Sequence, residues 1–173
     1  CRHCFQCIGL INQKKPDELT AFETARLLEG IRFAGKGILL DTGHLMNACT
    51  ELKTEAEGAD YIRSMLNRHG SLAKWVRGVH LHQSLSGAYV KARTGLLPAG
   101  LPEDYGERFG VSYQHILQID QHRPWTDPAI LPVLEQIGPR SLTHELSSRG
   151  RMSRAEAMAA QARLFQQGGK MGV

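Results

Sequence analysis

Four short stretches of this 173-residue chain carry residue types that ligate metal ions or move protons. They are Asp41-Thr42-Gly43-His44, Val79-His80-Leu81-His82, Asp120-Gln121-His122-Arg123 and Thr143-His144-Glu145-Leu146. Carboxylate oxygen together with imidazole nitrogen is the donor set of a catalytic divalent ion, which also needs positions left open for water or substrate. Asp41, His80 or His82, and Glu145 are the candidate ligands. Side chains alternate along a strand, so His80 and His82 share a face, and one can ligate while the other orients it or meets substrate. Each residue alone has a plainer use, Asp41 as a turn or cap residue and a strand histidine as a hydrogen-bonded structural group. Three strand ends with compatible ligands make coincidence the weaker explanation. Asp120 fits either a partner that orients a ligand or a helix cap. His122 and Arg123 are candidate substrate contacts, weighed against a loop histidine and a solvated arginine before Pro124.

The elements that must hold these residues follow from the pattern of the chain. Gly37-Ile38-Leu39-Leu40-Asp41 is an apolar run bounded by glycine and ending on a carboxylate, as in a strand buried on both faces. Further strands are expected at Phe5–Ile11, Trp75–His82, His115–Asp120 and Ser141–Leu146. Helices are expected from Pro16 to Gly30, with Leu19, Phe22, Ala25, Leu27 and Leu28 as the apolar stripe, and from Thr54 to Arg68, with Ala59, Ile62, Met65 and Leu66 inward. A loop through Cys49 separates the key strand from the second of these helices. A short helix is expected over Asp104–Ser112 and another over Trp125–Ile137, where Pro128 and Pro132 sit near the start. Ser153 and Glu156 suggest a capping box opening the last helix. Gln83–Glu103 is long and rich in Gly, Ser, Pro and Leu, which suits a lid.

Strand and helix alternate with connections too long for hairpins, which means parallel strands and an α/β class. Neither a dinucleotide fingerprint nor a phosphate loop is present: Gly35-Lys36-Gly37 precedes a strand rather than joining strand to helix. Successive βα units with polar residues at strand carboxyl ends suggest a (βα)8-type barrel. Four or five units fit the carboxyl-terminal half of one, since a full barrel takes roughly 250 residues.

Composition narrows the classes. With 42% hydrophobic and 22% charged residues the chain suits one globular domain. The formal charge of +4 is spread rather than clustered, so a nucleic-acid partner is not expected on this ground. No apolar run nears the ~20 residues of a membrane span and no signal peptide is recognisable, so the expected location is cytoplasmic. The chain opens on Cys1 rather than Met, which suggests a partial or processed reading frame. Cys1, Cys4 and Cys7 could hold an ion or iron–sulfur cluster with His3 or Cys49 as the fourth ligand; free thiols are the simpler expectation, because a cluster motif normally brings its own fourth cysteine nearby.

The sequence Leu40-Asp41-Thr42-Gly43-His44, followed by Val79-His80-Leu81-His82 and Thr143-His144-Glu145-Leu146, resembles the xylose-isomerase-like TIM-barrel superfamily over roughly residues 17–165. That group includes sugar and sugar phosphate isomerases and epimerases and apurinic-endonuclease-like enzymes. The resemblance implies a metal Asp on the fifth strand at Asp41, with a substrate- or metal-contacting His at His44. It implies a metal His on the sixth strand at His80 or His82, and a metal Glu on the eighth at Glu145. A further Glu from the fourth strand is expected some thirty residues before Asp41, where Cys7-Ile8-Gly9-Leu10 has no acid.

On this footing the implied activity is a divalent-metal-dependent (Mn, Mg, Co or Zn) isomerase or epimerase of a small carbohydrate-like substrate. Glu145 would act as acid–base, His44 would hold a substrate oxygen, and His122 and Arg123 would contact substrate. A partner chain or homo-oligomer would complete the barrel. The alternatives are an apurinic-endonuclease-type phosphoesterase and a noncatalytic half-barrel. Against the phosphoesterase stands the expectation that Asp120-Gln121-His122 follows the seventh strand, whereas that group carries such a pair in the loop after the sixth.

Overall fold

The computed structural model describes residues 5–7, 19–93, 96, 100–147 and 150–167. Their architecture is mixed α/β, with four parallel strands in sequential order. These are β1 (Phe5–Cys7), β2 (Ile38–Asp41), β3 (Val76–Leu81) and β4 (Ser141–His144). Asp41 is registered with His80 in the β2–β3 pairing, and Leu81 with His144 in the β3–β4 pairing. The candidate ligands therefore gather at one end of the sheet, the carboxyl end, where parallel α/β proteins keep their chemistry.

The first helix, α1 (Leu19–Gly30), is anchored mainly by the buried Leu28. The wider apolar stripe expected there is not inward: Phe22 and Leu27 are 62% and 50% exposed. Its expected start, at Pro16 with Asp17 and Glu18 in the first turn, lies outside the described residues. Lys36 closes the helix by donating to the Leu28 and Ile31 carbonyls, at 2.5 and 3.1 Å, which supplies partners to acceptors that a helix end leaves unpaired.

The expected loop after Asp41 is instead a short helix, α2 (Thr42–Asn47), that starts directly on the strand. Asp41 caps it, its Oδ1 accepting the His44 amide at 2.8 Å. The next helix, α3 (Glu55–His69), opens on a full capping box of Thr54 and Glu57 and buries Ala59, Ile62, Met65 and Leu66 as its periodicity requires. Ala59, Ile62 and Leu66 meet Val79, Leu81, Trp125, Ile130, Val133 and Leu134 in one core.

The crossover from β3 to β4 departs most from expectation. A helix, α4 (Gly87–Arg93), occupies the stretch expected to be a lid, and α5 runs from Tyr105 to Ile119. The strand expected at His115–Asp120 is therefore the last part of a helix capped by Asp120. The apolar run Ile116-Leu117 before Gln118-Ile119 is short enough to suit either state, and the amino-terminal cap at Asp104 decides for the helix. As a result β3 pairs directly with β4. Glu145 thus follows the strand next to His80, not one two places away as the resemblance implies.

A 3-10 turn (Pro128–Ile130) leads into α6 (Leu131–Ile137), so the expected helix is shorter and Trp125 precedes it. The last helix, α7 (Arg151–Gln167), starts two residues before Ser153, whose hydroxyl donates back to the Gly150 carbonyl at 3.0 Å rather than capping. Leu164 and Gln161 carry its inner face. No helix among the described residues is long and apolar enough to cross a membrane. Cys1 and Cys4 lie outside the described residues, and Cys49 is a half-buried free thiol.

Candidate metal centre

The end of β2 and the end of β3 are tied together through Thr42. Its buried hydroxyl donates to the His82 carbonyl at 2.6 Å and accepts the His82 amide at 3.2 Å. Gly43 then lets the His82 ring lie against the backbone, because a Cβ there would stand 2.0 Å from His82 Cε1. Glycine in Asp41-Thr42-Gly43-His44 is thus a space requirement of a histidine on another strand. Below the ring, Trp125 Nε1 donates to the His82 carbonyl at 2.9 Å, and Gln161 Nε2 donates to the Leu81 carbonyl at 3.1 Å.

Asp120 and His122 reach the same place along a two-residue antiparallel bridge. Gln83 and Arg123 exchange backbone hydrogen bonds of 2.8 and 3.0 Å, and the Gln121 amide donates to Ser84 Oγ at 2.9 Å. His122 turns into the cluster with a φ of 46°, a left-handed conformation that non-glycine residues seldom adopt, and one that tends to occur at functional sites. The Glu145 amide donates to the Leu81 carbonyl at 3.3 Å, and the Ser147 amide to the His122 carbonyl at 3.0 Å.

Two groups of side chains result. In the first, His80 Nδ1 contacts Glu145 Oε2 and lies 3.7 Å from Asp41 Oδ2. In the second, His44 Nε2 is 2.8 Å from Asp120 Oδ2, and His122 Nε2 is 3.4 Å from that same oxygen. His82 stands between them, fully buried, with Nε2 2.8 Å from Asp41 Oδ1 and its ring stacked on His122 at 4.2 Å. The groups also meet at their edges: His44 Nδ1 is 3.5 Å from Asp41 Oδ2, and His122 Nε2 is 3.7 Å from Glu145 Oε1.

Among the described residues nine buried side-chain nitrogen and oxygen atoms make no hydrogen bond, and seven of them belong to Asp41, His44, His80, His82, Asp120 and Glu145. Several of these atoms face ion-pair partners without hydrogen-bond geometry, His80 Nδ1 with Glu145 Oε2 and His82 Nε2 with Asp41 Oδ1, and seven such atoms in one place mark a site built for something other than its own hydrogen bonds. Both nitrogens of His82 are among them. His44, His82, Asp120 and His122 bring ligand atoms within 4.8 Å of one another, as do Asp41, His82 and Glu145. These donors are positioned to hold a metal ion.

Charge is balanced accordingly. Burial pushes the Asp41 carboxyl up, but the close approach of His82, the His44 amide and the nearby imidazoles hold it below its ordinary range. Asp120 is lowered in the same way, burial being overcome by His44 and then by His122 and His82. The bond to Asp120 raises His44, against the effect of burial. His144 faces away from the cluster, its Nδ1 accepting from Gln161 Nε2 at 2.7 Å, and burial lowers it.

Of the candidates named from sequence, Asp41, His80, His82, Glu145, His44 and His122 all converge. Arg123 is exposed, and it is its backbone that anchors the site through Gln83. The plainer role of Asp41 as a cap and its role as a ligand candidate coexist on one carboxylate. Asp120 is the residue whose weight the sequence understated, although its Asp-x-His spacing was the signal. No family model, curated protein or solved structure matches the chain.

Proposed function

We propose that this protein is a metal-dependent phosphoesterase acting on a phosphodiester. The observation that carries the reading is the pair of ligand groups, Asp41/His82/Glu145 and His44/His82/Asp120/His122, which meet at His82, with His80 beside Asp41 and Glu145 at the edge of the first. Two adjacent divalent ions are the arrangement that clamps the attacking and leaving oxygens of an in-line displacement. When bound, such ions supply Lewis acidity toward phosphoryl oxygens and lower the proton affinity of water. Imidazole donors favour later ions such as Zn or Co over Mg, while the carboxylates also suit Mn.

The chain's own groups supply the rest. Glu145 has the most open of the three carboxylates, with its side chain 36% exposed against 16% for Asp120 and none for Asp41. It is placed to take a proton from the attacking water. Asp41 and Asp120, both held below the ordinary range, stay ionised as fixed negative charge. The expectation that set the Asp120-His122 pair after a further strand no longer applies, since α5 is a helix and the pair lies in the crossover after β3.

A sugar isomerase or epimerase is the second reading. It is favoured by Asp41, His82 and Glu145 forming a mononuclear group by themselves, but it requires His44 to hold a substrate oxygen, and His44 is engaged with Asp120. On either reading the parallel strands in sequential order suit an arc of a (βα)8 barrel of the xylose-isomerase-like kind. Further strands would then join at its edges. The test is hydrolysis of bis(4-nitrophenyl) phosphate by the Zn-, Co- or Mn-loaded chain beside aldose–ketose interconversion. Diester hydrolysis lost in Glu145→Gln supports the first reading, and interconversion without hydrolysis replaces it with the second.

A further inference from the structure

The first two helices of the β3–β4 crossover, α4 and α5, run out from the end of β3 and back to Asp120. Gly87 starts α4 five residues after His82, pinned where a Cβ would meet the Thr50 carbonyl oxygen at 2.0 Å, and Ser86 Oγ donates to Asn47 Oδ1 at 2.9 Å. α5 ends on Asp120 itself. Between the two helices lies an open cleft of about 230 Å³. One wall carries Tyr89, Arg93 and Leu96, and the other carries Val111, Gln114, His115 and Gln118. Tyr89 Oη and His115 Nδ1 join the walls at 2.8 Å, and the Arg93 guanidinium lies 5.9 Å from the centre of the Tyr89 ring.

An α-helix rises ~1.5 Å per residue, so Gln118, His115 and Val111 stand about 3, 8 and 14 Å along the axis from Asp120. Along α5 the cleft lining therefore starts within one turn of Asp120 and runs away from it. Its volume is below the roughly 300–1,000 Å³ of a site that encloses a whole drug-sized ligand, which limits it to one ring system. An aromatic ring, flanking apolar carbons, two side-chain amides and a guanidinium match a planar heterocycle with polar edges and an attached phosphate.

We propose that the α4–α5 cleft is the subsite for the nucleotide that flanks the scissile phosphodiester, with the base against Tyr89 and its far phosphate at Arg93. The proposal rests on the phosphoesterase reading for its context but makes its own binding prediction. In the metal-loaded full chain, Tyr89→Ala and Arg93→Gln are compared on two substrates, and Arg93→Gln should hydrolyse bis(4-nitrophenyl) phosphate, which has no second phosphate, at the unmodified rate. Both should lose at least about fivefold in kcat/KM on a short single-stranded oligonucleotide, through KM. Tyr89→Phe keeps the ring and should stay within about twofold.

Equal losses on both substrates in Arg93→Gln, or no loss on the oligonucleotide, would overturn the assignment. Fluorescence anisotropy of a labelled trinucleotide separates the two layers. If neither substrate is cleaved, the phosphoesterase reading fails, while binding that weakens in Tyr89→Ala and Arg93→Gln still supports the cleft. Absent binding, or binding unchanged in both variants, removes the cleft whatever the activity.

Discussion

His44 Nε2 and Asp120 Oδ2 are 2.8 Å apart although 76 residues separate them in sequence. The contact joins the first turn of α2 to the end of α5, two elements that pattern reading alone renders as a loop and a strand. In the proposed metal centre it is also where a proton and a metal ion would compete for His44.

That competition has a defined sign. In the metal-free chain His44 is raised above its ordinary value of 6.5, chiefly by Asp120. A group so raised contributes stability that is complete below its unfolded value and lost as pH rises through the folded one. Asp120 is lowered from 3.8, and its contribution is present above that value and lost as pH falls through the lowered one. The pair therefore stabilises the metal-free chain most between about pH 4 and 6.5. Thermal midpoints of the metal-free protein and of His44→Ala should differ most in that window and converge at higher pH, whereas a gap independent of pH would count against the pair. Metal affinity should run the other way, rising with pH as the proton on His44 is released.

Gly43→Ala tests the packing of His82. The new Cβ would stand 2.0 Å from Cε1 and 2.2 Å from Nδ1 of a ring with no exposure. Overpacking of this kind costs about 1–3 kcal/mol. The ring must also leave Asp41, so metal affinity should fall at least about tenfold, the scale of losing an orienting partner. Calorimetric titration beside a thermal melt reads both. Normal affinity in the variant would mean that His82 does not face the ion.

Gln161 is the support beneath the centre. It accepts the Trp125 amide at 2.8 Å and donates to the Leu81 carbonyl at 3.1 Å and to His144 Nδ1 at 2.7 Å. Gln161→Leu leaves the buried Trp125 amide without its acceptor, at a cost of about 1–3 kcal/mol or roughly 2–12 °C in midpoint. A midpoint shift without any change in metal stoichiometry is the expected result. Loss of metal would assign Gln161 a more direct role.

Much of this arrangement was legible in the chain. The run Ile38-Leu39-Leu40 reads as a buried strand because glycine bounds it and nothing polar interrupts it before Asp41. α3 reads as a helix because the Thr54/Glu57 box fixes its start and four apolar residues hold its period. Six residues are too few for α2 to show any period, and its cap, Asp41, was already occupied in the reading by ligand chemistry. The end of α5 carries an apolar run whose short length suits strand and helix alike, and that ambiguity put Asp120 and His122 at the end of a separate strand rather than at the end of a helix. Strand-end ligands could be found one by one. That they form two groups depends on the Gln83–Arg123 bridge, a backbone pairing that no side-chain pattern announces.

The most direct test is the number of ions the chain holds, measured by elemental analysis and titration on the purified protein and on Asp120→Ala and Asp41→Ala. Two adjacent groups predict about two ions per chain. Asp120→Ala should keep about one, since Asp41, His80 and Glu145 are untouched. Asp41→Ala should weaken both, because Asp41 faces His80 and His44 alike. A single ion held equally well by Asp120→Ala would contradict the two-group centre, and with it the phosphoesterase reading built on it.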